Sequence, residues 1–472
     1  MTATLVLTDG VDSVDFVDGT NYDVQENGLD KPMPKKRQVF GGASFFRDGT
    51  DLIEDVYENR EVTIRCNVRA SSSDLLDQRL QDILALIETA RDFAKARRGR
   101  PVELQYKKDG ATDLTYFDVL DGVVIEPDTM HSVLLQNYVI LGLEVKFTCK
   151  PFVRGPLTSC LGATTIYNHD DTDHNNYVDI SGSDISGDVK SAAKFWFYND
   201  SGSTFEGLRV TIMAADYEQL VSNVKEGEDE QAYQSSASEI ADATCSGSLL
   251  VRVGSGSFAE AKAVTYDLAQ NLTEELAGWY RVMARAYVGS TDSAHAGLRC
   301  KWNWTDGAWW TSSSTTTVAA CTWEMVDLGL VQFPPFALSD TWIADGVMDD
   351  PALRRFDLYT RLSASTVTLD IDYFEFFPMT WGLALGGSVA LSDSRGQLFD
   401  SVSNPAFTAR TGSSGSLIQM VPGADWAWSP LYLEPGLDNR VIVSIDRDSG
   451  CNVAADPIVV SASYQARHIL VR

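Results

Sequence analysis

Four tryptophans carry the clearest chemical signal in the sequence. Trp302 and Trp304 are two residues apart and so would project from one face of a strand. Trp309 and Trp310 follow the turn signal Asp306-Gly307 and would sit at a hairpin tip. Exposed indoles stack on the apolar faces of sugar rings, and Asn303, Asp306 and Arg299 are close enough in sequence to hydrogen-bond the hydroxyls. Indoles also bury large areas, so a core position competes at each site. The core is favoured for Trp302 and Trp304, and exposure for Trp309 and Trp310 beside the turn.

Paired carboxylates are the next candidates. Asp370 and Asp372 share one face of an expected strand, and Asp349-Asp350 is a second pair. A glycosidase needs two carboxyls about 5–10 Å apart across a cleft. Hard cations also prefer oxygen donors, which makes Asp370 and Asp372 a place for a structural calcium ion. In a chain with 66 acidic residues adjacent aspartates arise by chance, and a solvated face is the ordinary reading. His169, Asp170, Asp171, Asp173 and His174 have donor chemistry but match no ligand spacing, so they read as a polar loop. Gly254-Ser255-Gly256-Ser257 is out of register for a nucleophile elbow. The chain has no phosphate-binding GxxxxGK[ST], no HExxH and only five histidines. The expectation is a non-enzymatic protein without a cofactor.

At 472 residues the chain is long enough for two to four domains. Its formal net charge of −28 repels phosphate backbones and argues against non-specific nucleic-acid binding. No stretch approaches the roughly 18 apolar residues of a membrane span. The N-terminus lacks the basic start and apolar core of a secretory signal, so the expected site of synthesis is the cytoplasm, with no signal peptide. Seven cysteines form no CxxC pair and read as reduced, mostly buried thiols. Cys300 and Cys321 could face each other across neighbouring strands.

These residues need elements to hold them. Asp9-Gly10 and Asp18-Gly19 read as hairpin turns, and 31–37, with two prolines, as a loop or arm. Residues 60–68 alternate, with Val62, Ile64, Cys66 and Val68 on a buried face. A long helix follows, capped at 71–74, with Leu76, Leu80, Ile83, Leu84, Ile87 and Ala94 as its apolar stripe and Gly99 and Pro101 as its stop. Lys95, Arg97 and Arg98 suit its carbonyl end, which explains the basic run locally. Strands resume at 102–106, 116–119 and 123–125. A last long strand over 134–148 breaks near Gly142, as a bulge would. Residues 177–180, 193–199 and 208–212 read as sandwich strands, and the acidic segment 224–238 as a linker or surface loop. Between 247 and 379, strands are expected at 279–287, 298–305, 323–328, 356–362 and 367–377.

The fold class is thus mainly β. An N-terminal β-sandwich with one long α-helix covers 1–155, followed by antiparallel β-sandwiches of galectin-like or jelly-roll type. Residues 156–239 and 380–472 would form two parts of one sandwich, with the lobe 240–379 inserted between them.

The order of elements carries a resemblance. A strand with Arg60 and Glu61, an amphipathic helix, the turn into Pro101-Val102-Glu103-Leu104-Gln105-Tyr106 and a strand closing on Cys149-Lys150-Pro151-Phe152-Val153-Arg154-Gly155 follow one another. The first third of the chain resembles the N-terminal belt domain of the distal tail proteins of long-tailed, siphovirus-type bacteriophages. Trp428-Ser429-Pro430-Leu431-Tyr432 and Ala462-Ser463-Tyr464-Gln465-Ala466-Arg467 are similar to the closing strands of phage tail proteins. Gly278-Trp279-Tyr280-Arg281-Val282 and Leu369-Asp370-Ile371-Asp372-Tyr373-Phe374 are similar to strands of non-catalytic carbohydrate-binding modules.

The resemblance implies a structural virion protein of the tail tip, forming a ring, hexameric in that family, between tail tube and baseplate. Its expected partners are further copies of itself, the tail tube protein and the tip or hub proteins, with a host surface glycan on the inserted lobe. Two other readings compete: a stand-alone glycan-binding adhesin, and a secreted carbohydrate-active enzyme, against which the missing leader weighs.

Overall fold

The computed structural model describes residues 3–40, 52–96, 99–125, 138–167, 175–202, 204–206, 208–215, 224–227, 230–233, 237–242, 245, 249–254 and 261–267. It further describes 278–289, 296–302, 316–318, 323–333, 355–364, 366–378, 383–386, 394–402, 407–411, 417–420, 431–444, 447–448 and 457–470. The chain is mainly β, with antiparallel strand pairs throughout and one α-helix among the described residues. It divides into two compact units. Unit 1 comprises 1–158, 187–189 and 465–472, and unit 2 the remainder.

Unit 1 begins with β1 (Thr4–Thr8) and β2 (Ser13–Asp15), a hairpin turned at Asp9-Gly10. Gly10 adopts φ +88°, and the Asp9 carboxylate accepts from the amides of Val11 and Asp12, both at 2.8 Å. The Asp18-Gly19 turn also forms, with Asp18 accepting from the amides of Thr20, Asn21 and Tyr22, but it makes no hairpin. The next strand, β3 (Tyr22–Asp30), pairs with the distant β6 (Arg60–Arg69) instead. Between them, β4 (Lys36–Phe40) and β5 (Leu52–Tyr57) make a two-stranded arm, so Lys36 and Arg37 lie on a strand and not in the expected loop. Lys31 stacks its ammonium 3.6 Å from the Tyr106 ring centroid, a local use for the basic run.

Helix α1 (Ser73–Ala96) opens on Ser72, whose Oγ accepts the Leu75 amide at 3.2 Å. Its buried residues are Leu76, Ile83, Leu86, Ile87 and Ala90. Leu84 and Ala94, expected on the buried stripe, are exposed. The stripe advances as 76, 83, 86/87, 90, and Leu84 falls one residue, about 100°, off its centre. Gly99, at φ +82°, sits just beyond the helix.

The helix packs on β7 (Val102–Lys107) and β8 (Thr115–Ile125), a hairpin turned at Asp109-Gly110. Strand β8 belongs to two layers. Its first half pairs with β7 and so with β1 and β2; from Val119 onward it pairs with β9 (Val139–Cys149), which continues to β6 and β3. The β9 bulge is where the sequence places it: Cys66 faces Leu143 and Val68 faces Ile140, leaving Leu141 and Gly142, at φ +75°, as the extra residues. Between the layers and α1 lies a core that includes Leu7, Phe16, Ile64, Ile87, Leu104 and Phe147. Each buried aliphatic or aromatic side chain there contributes about 1.5–3 kcal/mol. Strand β10 (Val153–Tyr167) leaves this unit.

Unit 2 contains a four-stranded sheet in the order Tyr177–Ile180, Asp438–Ser444, Leu208–Ala215, Leu383–Gly386. Nearby in sequence, Ser191–Asn199 pairs with Arg395–Asp400 on one side and with 458–464 on the other. Two larger sheets enclose the second core. One holds Trp323–Phe333, Gly278–Gly289, Thr368–Pro378, Leu249–Val253 and Ala237–Ala241, in that order. The other runs Glu230–Tyr233, Ala261–Asp267, Arg355–Leu362, Ala296–Trp302, Thr316–Val318. All five strands expected between 247 and 379 are present.

The acidic segment 224–238 differs from expectation. Val224–Glu226 and Glu230–Tyr233 are strands that add to each large sheet. Edge pairing uses backbone groups and needs no apolar side chains. Gly227 lies so close to Asp372 that a Cβ there would meet its carbonyl oxygen at 2.5 Å.

Candidate functional site

The site most visible in unit 1 is a surface. Every large apolar side chain that is exposed among the described residues belongs to this unit: Val11, Val17, Met33, Val56, Leu75, Leu84, Val123, Ile125, Tyr138, Leu141, Leu157 and Leu470. Four of them cluster in sequence around one connection. Val123 and Ile125 close β8, while Tyr138 and Leu141 open the return strand. Leu141 owes its 59% exposure to the bulge, which turns it off the buried face held by Ile140 and Leu143. Residues 121–125 of β8 pair with β9 and with no other described strand. Arg91 of α1 reaches toward this stretch, donating to Asp121 at 2.9 Å and to the Gly122 carbonyl at 3.5 Å. The end of β8 therefore carries apolar residues on an edge that lacks a second described strand partner.

Behind that surface, buried charge locks the unit. Arg154 donates Nε–H to Asp118 at 2.9 Å and Nη2–H to Glu103 at 2.6 Å, and also contacts Gln465. Lys150 adds a 2.9 Å contact to Asp118. Burial works to raise the Asp118 proton affinity, but Arg154 and Lys150 outweigh it and hold the carboxyl below the ordinary range. Arg60, 2% exposed, donates to the Pro151 carbonyl at 2.8 Å and to the Ile469 carbonyl at 2.9 Å. Ile469 in turn donates its amide to Asp188 at 3.0 Å, so four separated segments meet, at 60, 151, 188 and 469. Arg60 and Arg154 both lie in the stretches that carry the resemblance, and their role here is to close the unit.

In unit 2 the expected sugar-binding residues divide. Trp302 ends the strand Ala296–Trp302 and pairs in register with Phe356. Asn303, Trp304, Asp306, Trp309 and Trp310 lie outside the described residues, as do Asp349, Asp350, the cluster from His169 to His174, and Cys321 of the suggested pair with Cys300. Four thiols are described, at Cys66, Cys149, Cys160 and Cys245, and all are free. Burial pushes the Cys66 and Cys160 thiols up to about 12.

Asp370 and Asp372 do share a face, but that face is not solvated. They are 3% and 0% exposed, and each is held by an arginine. Arg252 grips Asp370 with two 2.7 Å bonds, and Arg285 pairs with Asp372. The Arg285 guanidinium also lies 4.6 Å from the Trp323 ring centroid. Among the described residues no group of three or more His, Cys, Asp or Glu gathers as a metal site, and these two carboxylates face guanidinium groups. Asn176 is fully buried; its side-chain amide donates to Glu375 while its main-chain carbonyl accepts the Val443 amide at 2.9 Å.

Arg252, Arg285 and Glu375 were missed as network members. Their partners lie 118, 87 and 199 residues away, beyond any local spacing signal.

No known protein-family model and no curated protein matches the chain. Among solved structures, it is similar to the SPP1 Dit (gp 19.1) protein, described as a paradigm of the hub adsorption apparatus in Gram-positive infecting phages. That alignment has 11% identity and a TM-score of 0.28, over 80% of this chain and 100% of that one. A second similar structure is the phage P2 baseplate in its activated conformation with Ca, at 8% identity and TM-score 0.25 over 100% of both chains. A third is the N-terminal CBM22-1–CBM22-2 tandem domain from Paenibacillus barcinonensis Xyn10C, at 7% identity and TM-score 0.22, over 57% of this chain and 98% of that one. Identities and scores this low leave function to be read from the chain's own surfaces.

Proposed function

We propose that the chain is a structural, non-enzymatic subunit of a phage tail tip, in which copies of unit 1 pack side by side into a ring, a hexamer by the sequence resemblance. The observation that carries this reading is the confinement of exposed large apolar side chains to unit 1 among the described residues. Exposed apolar surface marks association, and a repeating side-by-side contact between two different faces closes into a ring. The end of β8, with the exposed Val123 and Ile125, is the place where one copy meets the next. The ring joins the tail tube to the hub or baseplate, and the β lobe of unit 2 serves attachment to a host surface glycan.

Light scattering on the chromatographed protein tests it. Wild type should elute as a discrete oligomer with ring particles in negative stain. Val123→Asp/Ile125→Asp should shift it to monomer with unchanged circular dichroism. A wild-type protein that stays monomeric at high concentration, with no rings, overturns the reading.

A further inference from the structure

One face of the five-stranded sheet of unit 2 gathers basic side chains around an aromatic ring. On Arg355–Leu362, the residues Leu358, Thr360 and Leu362 face the core at 0%, 5% and 0% exposure. Asp357, Tyr359 and Arg361 alternate with them and face outward, Tyr359 half-buried and Arg361 exposed. Tyr359 is the middle of a row across three strands, with Lys262 opposite it on one side and Arg299 on the other. Directly opposed residues hold their Cβ atoms about 4.5–5.5 Å apart, so both side chains start beside that of Tyr359. Lys262 is tethered by a 2.6 Å contact to Asp357, which also accepts from the Thr265 hydroxyl at 2.8 Å. Gly297 stands opposite Arg361 and adds no side chain beside it. Among the described residues, Lys262, Arg299 and Arg361 and the one carboxylate of Asp357 lie beside this aromatic ring, in a chain with 38 basic and 66 acidic residues.

From this row we infer that the face is a binding platform for an acidic saccharide polymer, one bearing uronate or phosphate groups. The sugar ring lies on Tyr359, its anionic group meets Arg299 and Arg361, and Asp357 accepts from a hydroxyl while positioning Lys262. Charge complementarity selects this occupant, since a neutral glycan has no use for three cations. The inference rests on the attachment role proposed for the lobe and names its ligand class. It adds Tyr359 to the Trp309–Trp310 tip expected from sequence, which lies outside the described residues.

Affinity electrophoresis tests it, with polygalacturonate, poly(glycerol phosphate) or neutral xylan cast in the gel and ionic strength varied. Wild type should be retarded by an anionic polymer and not by xylan, with retardation falling as salt screens the contact. The polymer that retards it identifies uronate or phosphate as the anion. Tyr359→Ala and Arg299→Gln/Arg361→Gln should each bind about tenfold more weakly, and Tyr359→Phe should retain binding. Equal melting midpoints of the variants exclude misfolding as the cause. Retardation by xylan alone, or unchanged binding in Tyr359→Ala and in the double variant, overturns the inference. A protein that forms its ring yet ignores both anionic polymers overturns this inference alone, while one that does neither overturns the assembly reading as well.

Discussion

Unit 1 and unit 2 handle their surfaces in opposite ways. Unit 1 holds Arg60 and Arg154 where separated segments of the chain meet, and leaves apolar side chains in solvent. Unit 2 buries ion pairs in the middle of a sheet and exposes no large apolar residue among those described. Exposed apolar area is costly for a free molecule, whereas a buried ion pair is costly to build and more costly to break. The difference teaches that the two units meet solvent by different rules, and it is why the proposed association is assigned to unit 1.

The contrast breaks most sharply at Arg285. Arg285→Met takes the guanidinium away from the Asp372 carboxylate, which is 0% exposed, and should lower stability by about 3–5 kcal/mol in urea denaturation. The double variant Arg285→Met/Asp372→Leu should recover most of that loss. A mild effect of the single change would mean that water reaches the pair. Within unit 1, one helix offers an internal control. Leu86→Ala, at 3% exposure, should cost about 2–5 kcal/mol. Leu84→Ala, at 45% exposure, should stay within about 0.5 kcal/mol. Equal losses at the two positions would erase the distinction between the faces of α1.

A smaller effect is expected at Asp118, where Asp118→Asn should cost about 1.5–3 kcal/mol at neutral pH. The native carboxyl is held below its unfolded value of about 4, so the unfolded chain binds the proton more readily. Its contribution is therefore present above pH about 4 and fades as pH falls through the lower native value. Acid titration of the unfolding midpoint should show that slope in wild type and lose it in Asp118→Asn. An unchanged acid limb would remove Arg154–Asp118 from the closure of unit 1.

Local patterns carried much of this fold and little of its networks. Asp9-Gly10 and Asp109-Gly110 turn hairpins because the following strand is the nearest partner. Asp18-Gly19 has the same chemistry, yet β3 finds β6 some forty residues later, a choice that local sequence does not encode. Spacing located α1 and its cap but put Leu84 on the apolar stripe and left out Leu86, since both lie three or four residues from another apolar position. Alternation put Asp370 and Asp372 on one face correctly. It could not tell solvent from two arginines more than eighty residues away. The tryptophan tip drew attention by composition, whereas the Tyr359 row exists only once three strands come into register.

The return of 465–470 to unit 1 has a consequence for timing. On a ribosome, 1–158 emerges long before Gln465 and Ile469, so Arg60 and Arg154 wait for the last of their partners through some three hundred intervening residues. During that interval the unit has its core but not its last fastening. Copies that meet only through completed units would then join after release, and a nascent chain tethered to its polysome neighbours would be kept from joining too early.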